Sequence, residues 1–132
     1  MAFAPSARAA LAGLIGLVAA TAAAQQAPYT PPVGSPERKA IFDAMRAAGD
    51  DRGRVFVPRH LKVADGWAWV TAEPRSKDGA NRYEPESALV RREGGGWRVV
   101  AQPCGEEECD DAKETVRIRA AFPRAPAGIF PR

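Results

Sequence analysis

Residues 87–102 read Ser87-Ala-Leu-Val-Arg-Arg-Glu-Gly-Gly-Gly-Trp-Arg-Val-Val-Ala-Gln102. Two runs rich in β-branched and alternating side chains flank a glycine-rich centre, and that is the pattern of an antiparallel hairpin. Glycine reaches backbone conformations that other residues resist, so Gly94 to Gly96 free the turn. On the second run Trp97, Val99 and Ala101 fall on one face, opposite Arg98 and Val100. The preceding segment carries a second hairpin. Arg54 to Val63 alternates, with Val55, Val57, Leu61 and Val63 on one side and Phe56, His60 and Lys62 on the other. Ala64-Asp65-Gly66 is turn chemistry, and Trp67 to Glu73 returns as a strand with Trp67, Trp69 and Thr71 together. Pro58 lacks a ladder donor, which predicts an edge strand or a bulge at that point.

Upstream lies one helix. Ser35 suits an N-cap, Pro36 the first helical position and Glu37 the positive end of the helix dipole. Ile41, Met45 and Ala48, with Ala40 and Ala44 beside them, form an apolar stripe that ends at Gly49, so the spacing predicts a helix over 36–48. Residues 74–85, with Pro74, Asp78-Gly79 and Asn81, read as a long polar loop. Residues 110–122 fit two patterns. Thr115 to Arg119 alternates like a strand, whereas Asp110 or Asp111 suits the cap of a helix with Ala112, Val116 and Ala120 inward; the helix is favoured. The tail 123–132 holds three prolines and the apolar pair Ile129-Phe130. The fold class expected is α+β: an N-terminal helix on a curved antiparallel sheet of about four strands, with a short helix near the C-terminus.

The N-terminus supplies an address. Arg8 precedes an uncharged run, Ala9 to Ala20, too short to span a bilayer comfortably, and Ala22-Ala-Ala24 before Gln25 fits signal-peptidase cleavage. Residues 1–24 are expected to be a signal peptide, 25–34 (QQAPYTPPVG) an extended leader, and 35–132 a single domain. A retained apolar segment would instead anchor the domain. Its dilution by alanine and glycine favours removal. The expected location is therefore exported, periplasmic or secreted, with no stable membrane insertion after cleavage.

The whole chain has a formal net charge of +3, with basic residues scattered among acids. That is not the concentrated stripe a nucleic-acid surface needs. In an exported protein, Cys104 and Cys109 of Cys104-Gly-Glu-Glu-Glu-Cys109 read as a disulfide; two reduced thiols are the alternative. Zinc is disfavoured, because the spacing is not that of a paired knuckle and His60 is the only histidine. Glu106 to Glu108 read as a solvated acidic loop, and no cofactor is expected.

A helix followed by two hairpins resembles the cystatin-like and NTF2-like (SnoaL-like) α+β folds. The phrase Leu89 to Val100 is similar to their late hairpin, in which a tryptophan after the turn returns to the core. Together with Gly34 to Arg46, Phe56-Val57, Leu61 to Val63 and Gly66 to Val70, it resembles a group of small exported bacterial proteins, mostly uncharacterised. The resemblance implies a fold and carries over no catalytic residue.

Candidate binding residues are few. His60, the only histidine, is a candidate general base by residue type, but it lies on the polar side of a predicted edge strand and no nucleophile is placed to use it. Trp67 and Trp69, if they share a face with Trp97, form either core or a stacking platform, with Tyr83 and Arg82 at its rim. The function this supports is a non-enzymatic exported domain that binds an envelope protein or a small ligand. An NTF2-like binder or enzyme with a pocket between helix and sheet is one alternative, and an inhibitor-type envelope protein another.

Overall fold

A computed structural model of the chain describes residues 16–19, 24–49 and 53–132. The expected signal peptide falls, apart from residues 16–19 and 24, outside the described residues. Helix α1 (Pro36–Ala48) starts where the capping chemistry puts it, the Ser35 side chain accepting the Arg38 N–H at 3.3 Å. It buries Ile41, Phe42, Ala44 and Met45. Four strands follow, β1 (Arg54–Ala64), β2 (Trp67–Ser76), β3 (Glu86–Glu93) and β4 (Gly96–Ala101), then helix α2 (Asp111–Ala121) and a 3₁₀ turn (Ala127–Ile129). The strands form one open antiparallel sheet in the order β1-β2-β3-β4, giving the α+β layout.

Both hairpins close through two-residue turns with positive φ at both central positions. Asp65 and Gly66 sit at 51° and 78°, and Gly94 and Gly95 at 56° and 86°. That backbone matches the strands' right-handed twist and is costly for residues other than glycine, aspartate or asparagine. Gly96 is not part of the turn, since it pairs with Glu93 in the ladder.

Each edge strand carries a register shift, and each shift reverses which residues face inward. On β1 the pairing runs Pro58↔Ala72 and then His60↔Thr71, leaving Arg59 unpaired. Phe56 before the bulge and Leu61 and Val63 after it therefore point to the same side, against α1. The expected alternation, with Val55 inward and Phe56 outward, is corrected: Phe56 is buried and Val55 is 45 % exposed. On β4 the partners change from Leu89↔Ala101 to Val90↔Val99. Trp97 and Val99 consequently pack on the α1 side while Ala101 packs on the other. Bulges twist an edge away from strand addition, so the same devices that reset the faces also guard both edges.

The sheet has a core on each face. Under α1, Ile41, Met45 and Phe42 meet Phe56, Leu61, Val63, Ala68, Val70, Ala72, Ala88 and Val90. On the opposite face Trp67, Trp69 and Leu89 meet Ile118 of α2 and Ala125, Ile129 and Phe130 of the tail. Trp67 and Trp69 thus do not share a face with Trp97. The two successive odd positions of β2 look away from α1, and Trp97 of β4 looks toward it. Phe130 lies 5.2 Å from Trp69, and Phe122 sits edge-on to Trp67 at 6.0 Å, both within the range of favourable aromatic pairs.

Helix α2 is the favoured reading of 110–122. Asp110 caps it, accepting the N–H groups of Ala112 and Lys113. Its inward face differs from the expected one: Ile118 is fully buried, while Val116 is 64 % exposed. The Cys104–Cys109 disulfide is formed, and the Cys104 N–H donates to Glu114 Oε2 at 2.9 Å, tying that loop to α2.

Order begins earlier than Ser35. Tyr29 exchanges two backbone hydrogen bonds with Val63, at 2.9 and 2.8 Å, so the leader pairs with the outer edge of β1. Thr30 Oγ1 donates to the Leu61 carbonyl, and the Gln26 backbone and side chain bond to Asp65. Gly128 is required there by crowding, because a Cβ at that position would stand 2.7 Å from Pro28 Cγ. Leader and tail therefore lock together over β1. Among the described residues, no helix is long and apolar enough to cross a membrane.

Candidate functional site

The face of β2 that carries Trp67 and Trp69 continues to Thr71 and Glu73, and its covering stops partway. α2 and the tail cover the indoles. Beyond them Thr71 Oγ1 and Ser87 Oγ share a hydrogen bond at 2.8 Å, and beyond these stands Glu73. Glu73 is 3 % exposed, the one charged residue among the described residues that is buried. A buried carboxylate is costly unless paired, and three arginines pair it. Oε1 accepts from Arg75 Nε at 2.9 Å and Arg82 Nε at 2.6 Å. Oε2 accepts from Arg59 Nη2 at 2.8 Å and Arg82 Nη2 at 3.1 Å. Two oxygens with about four lone-pair sites between them are thereby saturated.

Local folding brings these residues together. Arg59 is the extra residue of the β1 bulge, and a bulge re-aims the side chain it carries. Arg82 arrives by a tight excursion from the end of β2. Asp78 Oδ1 accepts from Ser76 Oγ and the Ala80 N–H, the Ser76 N–H donates to the Asn81 carbonyl, and Tyr83 N–H donates to the Pro74 carbonyl. The segment read from sequence as a long polar loop is thus pinned back on the strand it leaves, with Arg75 bridged to Arg82.

The pairing sets the electrostatics. Hydrogen bonds from Arg82 first, then Arg75 and Arg59, hold the Glu73 carboxyl far below the usual carboxylate range against the opposing effect of burial. Glu73 in turn raises the Arg82 guanidinium. A carboxylate so stabilised and so fully bonded is a poor proton acceptor near neutral pH, so the cluster is suited to charge recognition rather than acid–base chemistry. An open cavity of about 390 Å³ adjoins it, lined by Arg59, Glu73, Arg82, Tyr83, Glu84 and Pro85.

The residues singled out from sequence fall in different places. Tyr83 lies at this cavity with the Arg54 guanidinium 3.8 Å from its ring centre. Trp67 and Trp69 are buried in the second core and offer no ring face to solvent. His60 is apart from the cluster, its Nε2 donating to the Ile129 carbonyl at 2.7 Å and so holding the tail against β1. Cys104 and Cys109 form a structural link. Among the described residues there is no group of three or more His, Cys, Asp or Glu able to hold a metal ion. Glu73, Arg59 and Arg75 were not identified from sequence. The available signals were Glu73 at an inward position of a strand otherwise apolar, and arginines at a proline-marked irregularity. Comparison with family models, curated proteins and solved structures finds no match to this chain.

Proposed function

We propose that the chain is an exported, non-enzymatic binding domain of cystatin-like or NTF2-like type that meets its ligand or envelope partner at the Glu73 end of the sheet. The observation that carries this reading is the saturated Glu73 carboxylate, a buried charge that fixes three arginines, two of which, Arg59 and Arg82, stand at the rim of an open cavity. Fixed guanidiniums lose little freedom when a ligand binds, and that pre-organisation is what a recognition site requires. The signal-like N-terminus and the disulfide support export. The NTF2-like alternative with a pocket between helix and sheet gains less support, since Ile41, Phe42, Met45, Phe56 and Val70 fill the space under α1.

The test is a pull-down of the domain from envelope extract, alongside the double variant Arg59→Gln/Arg82→Gln. A partner or ligand retained by the parent chain and lost by the variant is the expected outcome. Retention of nothing above a blank matrix would overturn the binding reading.

A further inference from the structure

The arginines around Glu73 carry more charge than their carboxylate neutralises. Arg59 and Arg82 both donate from Nη2 to the same oxygen, at 2.8 and 3.1 Å, so those two nitrogens can be no farther apart than the sum of those distances. Two like charges held that close repel, and one carboxylate offsets only one of three guanidiniums. Their side chains are nevertheless more than half exposed, at 57 % and 64 %, and both line the cavity beside Tyr83. We propose that Arg59 and Arg82 form a binding site for a phosphate-type oxyanion, with Glu73 as the buried brace that positions them.

The chemistry favours a tetrahedral anion. Glu73 occupies one bidentate edge of Arg82, through Nε and Nη2, and a single nitrogen of Arg59, so the Nη1 side of Arg82 and the remaining N–H groups of Arg59 are left for one incoming group to share. A phosphate presents oxygens in several directions and can do so, as arginine pairs commonly do for phosphate. Glu84, on the same cavity wall, opposes the anion and tunes its affinity. The proposal rests on the reading of this chain as a binding domain and names the chemistry its site recognises.

The experiment titrates the full purified chain at low salt with inorganic phosphate, and separately with vesicles of phosphatidylglycerol in phosphatidylcholine. Saturable binding of phosphate is expected, weakened about ten- to a hundredfold in Arg82→Gln and Arg59→Gln, since each removes a charged hydrogen-bonding partner. Glu84→Gln should tighten it. Lys39→Gln removes the same charge from an exposed site on α1 and should leave binding within twofold. Response to vesicles alone would assign the phosphate to a lipid headgroup; response to both would assign it to the free group. No saturable binding in either arm, or equal losses in Lys39→Gln and Arg82→Gln, would overturn the site. Circular dichroism monitors folding, and Arg59→Gln, which gives up one bond to Glu73, serves if Arg82→Gln unfolds. A parent chain that captures an envelope partner, lost in Arg59→Gln/Arg82→Gln, yet binds neither phosphate nor vesicles would overturn the oxyanion site alone. A partner captured equally by that variant would move the binding face away from Glu73 without altering the phosphate result, so the two fail separately.

Discussion

Replacing Trp69 by phenylalanine should cost almost nothing, although Trp69 is one of the most buried side chains of the protein. It is 1 % exposed, packed against Phe130, and its Nε1–H has no hydrogen-bond acceptor among the described residues. Phenylalanine gives up two carbons of apolar contact besides the indole nitrogen, worth roughly 1.5 kcal/mol at about 0.8 kcal/mol per methylene-sized group. It also removes a buried donor left without a partner, whose desolvation costs about 1–3 kcal/mol. The two effects are of opposite sign and similar size, so Trp69→Phe should fall within about 1 kcal/mol of the parent chain. Trp69→Ala keeps the relief and loses nearly everything else, and should cost about 3–5 kcal/mol. Urea unfolding followed by far-ultraviolet circular dichroism measures both. A Trp69→Phe loss matching that of Trp69→Ala would mean that the indole N–H is well satisfied in the folded protein, and the reasoning would fail.

Gly128→Ala should loosen the leader from the tail, because its new Cβ meets the Pro28 ring at 2.7 Å; faster amide exchange at Tyr29 and Val63 with the sheet otherwise protected is the expected result. For Glu73, whose folded pKa lies below the unfolded value of about 4.3, pairing stabilises the fold fully above that value and fades as pH falls toward the folded pKa. The stability gap between parent and Glu73→Gln should therefore stay level from neutral pH to about 5 and narrow only in stronger acid; a gap that changes between pH 6 and 8 would contradict the pairing. Reduction of Cys104–Cys109 should lower stability by no more than about 2 kcal/mol, because the loop it closes is short; unfolding on reduction would contradict that. Trp97→Ala should cost less than Trp69→Ala in the same urea series, since Trp97 stands half-buried on an edge strand.

Sequence spacing located the elements and the inward face of α1, and failed at the faces of the bulged edge strands and of α2. Helix α1 was legible because capping, dipole and apolar period agree over Ser35 to Gly49. The hairpins were legible because Asp65-Gly66 and Gly94-Gly95 admit the turn geometry that few other pairs tolerate. Face assignments assume an unbroken period of two, and one extra residue in a ladder inverts everything beyond it. That is why Phe56 and Ala101 were placed on the wrong sides while Leu61 and Val99 were placed well. Pro58 did announce an irregularity, yet nothing local reveals that the unpaired residue is Arg59. The leader looked unstructured for a related reason: its pairing partner, Val63, is 34 residues away, and only tertiary contact makes Tyr29 a strand residue.

The place of the candidate site follows from how the second face is covered. α2 commits one fully buried side chain, Ile118, to that face, and the tail adds Ala125, Ile129 and Phe130; together they reach the indoles and go no farther. An apolar residue at position 73 would leave an exposed greasy strip beyond that cover, whereas an unpaired carboxylate there would bear the full cost of desolvation. Glu73 with three arginines avoids both. It ends the core with charge, and the bulge at Arg59 and the returning segment at Arg82 are the two backbone irregularities that deliver partners from outside β2. Surface ion pairs are usually worth little, because two flexible side chains must be ordered for a screened attraction. Here a buried carboxylate fixes guanidiniums that keep their outer sides in water, so the ordering cost is met within the fold before any ligand arrives. That division, with a carboxylate turned inward and cations outward, is what the proposed oxyanion site requires: the brace is complete in the free protein and the outer N–H groups still face water.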